Sequence, residues 1–149
     1  MQVSEKPVGI TGHVKLVLRD ESGNIKQEIE HHNLVVTAGK NYIADQLSSA
    51  PAGAAMSHMA IGTGTTAADA TDTTLETEID RNALTSFTDS ANVVTYVGDW
   101  AAGDGTGAIT EAGILNDATT GTLLARTVFS VVNKGASDTL QITWTITIG

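Results

Sequence analysis

The chain has 149 residues, near the usual size of one domain, and carries 8 Lys and Arg against 17 Asp and Glu, a formal net charge of −9. This charge argues against binding to nucleic acid or to an anionic membrane, because both need clustered basic side chains. The sequence contains no cysteine, no apolar stretch of a signal peptide near its start, and no run approaching the roughly 20 apolar residues of a membrane span.

The residue types favour β-structure. The chain has 22 Thr and 15 Gly, and its aromatic fraction is only 4%. Threonine is β-branched and fits the pleated surface of a strand. We therefore expect a mainly β domain whose core is built from Val, Ile, Leu and Ala.

Residues 1–12 show no hydrophobic period and contain Pro7 and Gly9. We interpret them as an extended N-terminal arm that precedes a single β-sandwich-like domain over residues 13–149. The arm has apolar residues that could be buried against a neighbouring subunit, namely Val3, Val8 and Ile10. The alternative is a disordered terminus.

Two alternating segments, 13–19 and 25–31, flank the turn residues Asp20, Gly23 and Asn24. This pattern predicts a β-hairpin with one apolar and one charged face. A short apolar strand follows at 33–36.

The spacing predicts one helix over about residues 38–48, with Thr37 as its N-cap. Ile43 and Leu47 lie four residues apart beside Tyr42, which gives the helix one apolar stripe.

After the helix, the sequence pattern predicts further strands at 56–61, 92–100, 109–115, 123–129 and 140–148. Segment 75–85 fits either a helical turn or a strand. In the last strand, Trp144 lies within an unbroken alternation of apolar and mostly Thr residues, so we expect it in the core. About eight strands and one helix predict an antiparallel β-sandwich or barrel.

The segment Gly62-Thr-Gly64-Thr-Thr-Ala67 matches the G-x-G-x-x-A dinucleotide fingerprint. That fingerprint needs a helix immediately after it, so that the pyrophosphate meets a helix N-terminus. The following residues have no helical period, which favours a flexible loop whose glycines permit positive φ.

The sequence has four histidines, which are candidate metal ligands. His31 and His32 are adjacent and point to opposite faces of a strand, and His13 lies across the hairpin from them. A contact of His13 with His31 or His32 fits this geometry, but a metal site needs more ligands. We expect solvated strand histidines and no bound metal.

The richest acidic stretch contains no calcium-loop pattern, and we expect a solvated acidic surface there. Its members are Asp69, Asp72, Glu76, Glu78 and Asp80. A catalytic pair of carboxylates is the alternative for this stretch, because such a pair is defined by the distance between its two groups in space and not by their spacing in the sequence. Without a known catalytic motif, we expect no enzymatic activity and no cofactor.

Several phrases of the sequence resemble a family of small virion structural proteins of tailed bacteriophages, and related segments resemble parts of tail-fibre and appendage proteins. The resemblance covers nearly the whole chain from about residue 12. It is carried by residues 12–20 with 23–25, 33–45, 59–67 with 73–78, 110–115 and 124–129. It implies a non-enzymatic protein of the virion, assembled in the host cytoplasm.

The resemblance leaves three hypotheses. The first is a capsid decoration (cement) protein on the major capsid lattice, as a trimer or dimer. The second is a base or adaptor of a tail fibre or tail appendage. The third is a host-surface carbohydrate-binding module, for which Trp100 is the most suitable ring. Candidate interface residues, besides those of the arm, are Met56, His58 and Trp100.

Overall fold

A computed structural model describes residues 9–149, which form ten strands and one short helix. The helix, α1 (Thr37–Gln46), lies between the third and fourth strands. The strands are β1 (Ile10–Arg19), β2 (Ile25–His32), β3 (Leu34–Val35), β4 (His58–Gly62), β5 (Glu78–Ala83), β6 (Ser86–Ser90), β7 (Val93–Trp100), β8 (Gly107–Leu115), β9 (Leu123–Lys134) and β10 (Thr139–Ile148).

The strands form two antiparallel sheets of five, which confirms the predicted β-sandwich with one helix. Sheet A has the order β2-β1-β10-β7-β6, and sheet B has the order β3-β9-β8-β4-β5. The predicted hairpin is β1 with β2, and segment 75–85 contains a strand, β5. Strand β6 was not predicted, because its five residues are all exposed and carry no apolar alternation.

The core lies between the sheets and consists of the side chains of alternate residues along the strands. In β10, Leu140, Ile142, Trp144 and Ile146 are at most 3% exposed. They lie beside buried side chains of β1, such as Val14 and Leu16, and face those of sheet B, such as Ile114. Since β10 is the middle strand of sheet A, its apolar face is the centre of this core. The predicted core position of Trp144 is confirmed.

The N-terminal boundary differs from the prediction. Strand β1 begins at Ile10, which pairs with Ile148, and the Gly149 N–H donates to the Gly9 carbonyl at 2.7 Å. Residues 10–12 therefore belong to the sheet and not to an arm, while Val3 and Val8 lie outside the described residues. The alternation looked broken because Gly12 occupies an inward position, where the Asn33 side-chain oxygen fills the place of a Cβ.

The helix begins one residue earlier than predicted and is capped differently. Its N-cap is Val36, without a side-chain cap, and the Thr37 N–H bonds to the Ala70 carbonyl at 2.8 Å. Leu47 lies beyond the helix end and is 84% exposed, so its predicted place in the apolar stripe is wrong. The helix instead approaches sheet B through Gly39, which is its buried residue.

On one side of the sandwich, the chain passes directly from the edge strand of one sheet to the edge strand of the other. The chain leaves β2 in sheet A and enters β3 in sheet B through Asn33. Two β2 side chains reach carbonyl oxygens of β9: Gln27 donates to Val131 at 3.1 Å, and His31 Nε2 lies 2.7 Å from Val128. On the other side, residues 84 and 85 connect β5 of sheet B to β6 of sheet A in the same way.

Replacing Trp144 by Ala should lower the free energy of unfolding by about 3–5 kcal/mol, because the change leaves a large cavity at the centre of the core. Chemical denaturation of Trp144→Ala and of the control Leu47→Ala measures this. The control removes a side chain that is 84% exposed and should stay near wild type. Equal stability of the two variants would contradict the core position.

Replacing Gly39 by Ala should destabilise the protein by about 1–3 kcal/mol, the cost of overpacking. In an exposed helix the same change would stabilise. Here the added Cβ would lie 2.1 Å from the Leu124 carbonyl oxygen, so the helix would have to move away from sheet B. Thermal unfolding of Gly39→Ala beside Lys40→Ala, on the exposed face of the same helix, checks the sign; a stabilised Gly39→Ala variant would refute the close contact.

Candidate functional site

Two of the predicted interface residues lie in the core. Met56 is 6% exposed and Trp100 is 1% exposed, and both pack within the main hydrophobic cluster. Trp100 ends β7 on its inward face, two residues after buried Gly98. A glycine at an inward position hides the alternation of β7, which is why the sequence did not assign Trp100 to the core. The ring on which the carbohydrate hypothesis depended is thus inaccessible.

The other two described candidates are half-buried. His58 opens β4, which lies between β8 and β5, so it is not at a sheet edge. Its Nδ1 lies 2.8 Å from the Ser57 hydroxyl oxygen. Ile10 is fixed by its pairing with Ile148 at the start of β1.

The histidines of the hairpin are arranged as predicted. His13 lies directly opposite His32, with ring centroids 5.8 Å apart, and His31 faces the other side of the strand. Within residues 9–149, no three His, Asp or Glu side chains are placed to share a metal ion.

A buried ion pair lies on the outer face of sheet B. Glu111 of β8 is 0% exposed and Arg126 of β9 is 2% exposed. The Arg126 Nε–H donates to Glu111 Oε2 at 2.9 Å. The remaining guanidinium nitrogens donate to the Asp72 carboxylate at 2.9 Å and to the Thr66 carbonyl at 3.0 Å. The guanidinium therefore ties the segment between β4 and β5 to the sheet.

The same segment, residues 63–77, also closes around the Glu111 carboxylate. That carboxylate accepts the backbone N–H groups of Gly64 at 3.0 Å, Glu76 at 3.0 Å and Thr77 at 2.7 Å. Leu75 packs above Gly113 and belongs to a second small cluster with Val36, Ala60, Leu115 and Leu123. We call residues 63–77 the covering loop, since it covers this face of sheet B.

The two glycines of the apparent dinucleotide fingerprint, Gly62 and Gly64, allow the covering loop to approach the Glu111 carboxylate closely. No helix follows Gly64, and its N–H meets the protein's own Glu111 carboxylate. A Cβ on Gly62 or Gly64 would lie 2.5 or 2.6 Å from Glu111 Oε1. Neither glycine has positive φ, so the predicted flexible loop with positive-φ glycines is wrong; they are needed for close approach.

The acidic stretch is only partly a solvated surface, which corrects the prediction. Asp72 is 2.9 Å and Glu76 3.8 Å from Arg126, and Glu78 pairs with Arg81 at 2.7 Å. Hydrogen bonding to Thr66, with a further contribution from Arg126, lowers the pKa of Glu76. The stability that this provides is present above the usual pKa of Glu and is lost as the pH falls.

Sequence reasoning did not single out Glu111 or Arg126. Each is the charged residue inside an otherwise apolar predicted strand, and the two strands are neighbours in the chain. Opposite charges in consecutive apolar strands are the signal that could have identified the pair.

The outer face of sheet A differs between its two halves. In β1 and β2 it carries charged side chains, such as Lys15 and Glu28, which pair at 2.8 Å. In β10, β7 and β6 the one outward charge is Asp99 at the end of β7, which accepts hydrogen bonds from Thr85 and Gln141, and the outward side chains of residues 86–90, 93–97 and 143–147 are uncharged. We call this half the threonine face; its members are Thr143, Thr145 and Thr147 of β10, Val93, Thr95 and Val97 of β7, and Ser86, Thr88 and Ser90 of β6.

A scan against protein-family models and searches of curated proteins and of solved structures found no match to the chain. The single helix of residues 9–149 is too short to cross a membrane.

Replacing Glu111 by Gln should lower the free energy of unfolding by about 3–5 kcal/mol, because Arg126 then loses its fully buried counter-charge. The matched control is Glu28→Gln, which breaks the exposed pair with Lys15 and should cost about 0–1 kcal/mol.

Hydrogen exchange distinguishes this effect from general destabilisation. In Glu111→Gln, the backbone amides of Gly64, Glu76 and Thr77 should lose protection before those of β10. Equal loss of protection throughout the chain would contradict a specific role of Glu111 in holding the covering loop.

Proposed function

We propose that this chain is a non-enzymatic structural protein of a tailed bacteriophage virion, a capsid decoration protein that binds the major capsid lattice as a homo-oligomer. The proposal combines the sequence resemblance with one structural observation, the threonine face. The tail-fibre base or adaptor is the competing assignment, and the copy number in the particle separates the two.

The threonine face has the properties of a surface that binds another protein. Its β10 and β7 side chains are half-buried in the isolated chain, and none is charged in a protein of net charge −9. The centres of protein interfaces are poor in charged residues, because an unpaired charge is costly to desolvate. Two of its three strands, β10 and β7, are internal strands of sheet A and are paired on both sides.

The rest of the molecule supports the same role. The outer face of sheet B is occupied by the covering loop and α1, and contacts link α1 to β9. In the part of the chain that the structure describes, the broad uncovered face is then that of sheet A. Its charged half, with Lys15, Glu28 and Glu30, provides a polar margin beside the threonine face.

The decisive measurement is the number of copies of this chain in purified particles of the encoding phage, by mass spectrometry against the major capsid protein. Hundreds of copies per particle are expected for a decoration protein. A dozen or fewer would favour the tail assignment, and absence from the particle would overturn both.

A charge placed on the threonine face should weaken binding. Thr145 lies between His13 of β1 and Thr95 of β7, so Thr145→Glu puts a carboxylate into the proposed interface. We expect at least about tenfold weaker binding to heads assembled without the protein, since desolvating that carboxylate costs more than roughly 1.4 kcal/mol.

The matched control is Thr119→Glu, the same change at an exposed position in the loop between β8 and β9. It should bind heads as the wild type does, and circular dichroism should show both variants folded. Full binding by Thr145→Glu would exclude the threonine face as the docking surface.

A further inference from the structure

The sandwich has four sheet edges, and they differ in how they are protected. An unprotected edge presents backbone N–H and C=O groups to any other strand, and natural proteins block such edges with charges, short strands or covering segments. Three of the four edges are blocked by several charges or by a very short strand. The fourth, β6, is the least protected.

The edges of β2 and β3 are blocked on one side of the molecule. Strand β2 carries Lys26, Glu28 and Glu30, and its side chains cap carbonyl groups of β9. Strand β3 has only two residues.

The edge of β5 is blocked on the opposite side. Its residues include Glu78, Asp80 and Arg81. The Arg81 side chain also pairs with Glu78 and donates to the carbonyl groups of Asp117 and Thr120, at 2.9 and 2.8 Å.

Strand β6 is the least protected of the four edges, because it carries one charge and no described segment covers it. It has five residues, pairs only with β7 among the described strands, and is exposed along its whole length. Its single charge is Asp89. Its Phe87 is 68% exposed, an aromatic ring left in water at the open edge.

We propose that β6 is the self-association edge, at which a second copy of this chain adds its own β6 in antiparallel orientation, with the twofold axis at Phe87. The resulting dimer has one continuous ten-stranded sheet made of the two A sheets. A second copy is favoured over an unrelated strand because the segment is complementary to itself.

The position of Asp89 selects the register. An axis at Asp89 would place two carboxylates directly opposite each other, which is destabilising. An axis at Phe87 places Asp89 opposite Thr85 of the other copy and brings the two Phe87 rings together, and aromatic cross-strand pairs are favourable. Dimerisation would therefore remove the Phe87 ring from water and at the same time give the β6 backbone its missing hydrogen bonds.

The pairing would also enlarge the threonine face. Ser86, Thr88 and Ser90 are outward on β6 and continue the rows of β7, so two joined copies would present one uncharged face across the dyad. The dimer itself does not rest on the proposed function, because it can be measured in the purified protein without particles.

Sedimentation equilibrium on the full chain, from micromolar to millimolar concentration, tests the association. We expect reversible conversion from 15.4 kDa to twice that mass. Phe87→Lys should remain a monomer across the range, while the matched control Leu47→Lys, at another exposed apolar residue, should associate like the wild type. A wild-type chain that stays monomeric, or a dimer that survives in Phe87→Lys, would overturn the proposal.

Cross-linking tests the register independently, because the chain contains no cysteine of its own. Directly opposite residues have Cβ atoms about 4.5–5.5 Å apart, close enough for a disulfide after small adjustment. Phe87→Cys should form a covalent dimer on mild oxidation, whereas Ser90→Cys, which would face residue 84 of the other copy, should not. Equal or preferential cross-linking of Ser90→Cys would overturn the axis at Phe87.

Discussion

The carboxylate of Glu111 accepts three backbone N–H groups and the Arg126 guanidinium, and the outer face of sheet B depends on these four hydrogen bonds. A loop of fifteen residues with few apolar side chains cannot hold itself on a sheet by hydrophobic burial, since only Leu75 contributes a large buried side chain. The buried carboxylate replaces that missing burial by offering an acceptor to loop N–H groups that have left water. Such a pair adds little to net stability compared with an apolar substitute, but it specifies one loop conformation, because other conformations would leave a buried charge unpaired.

The pair also makes the two sides of the sandwich unequal. Sheet B is covered on its outer face by the covering loop and α1, and its small second cluster lies beneath them. Within residues 9–149 nothing covers the outer face of sheet A, and the β10 residues Thr143, Thr145 and Thr147 are half-exposed on it. Threonine suits this position because it is β-branched, which favours the strand, and its hydroxyl keeps the surface soluble when nothing is bound.

The sequence was sufficient where one face of a strand is apolar without interruption. The β1–β2 hairpin and β10 with its buried Trp144 follow from alternation and turn residues. It failed where a glycine takes an inward position: Gly12 concealed the start of β1, and Gly98 concealed the burial of Trp100. Strand β6 carries no pattern because neither of its faces is buried, and its existence depends on pairing with β7.

The candidate sites were less predictable than the fold. The uncharged outward row of β10 was visible as alternating threonines, whereas its extension over β7 and β6 needed the strand order of sheet A. The role of Gly62 and Gly64 needed a contact with Glu111, which lies 47 residues after Gly64 in the chain. Local spacing contains no information about such a partner, so a motif that fits phosphate binding instead encloses a carboxylate of the same chain.

The position of β10 in the sheet has a consequence for the order in which the molecule can form. It is the middle strand of sheet A, yet it follows all other described strands in the chain, and its partner β1 is the first of them. During synthesis, all strands of sheet B emerge before β10, while β2-β1 and β7-β6 remain two separate pairs with their apolar faces uncovered. Closing such distant contacts is slow, because the loop-closure entropy is lost before the contacts are gained. Until β10 is in place, sheet A therefore consists of two separate strand pairs, which the ten residues of β10 join.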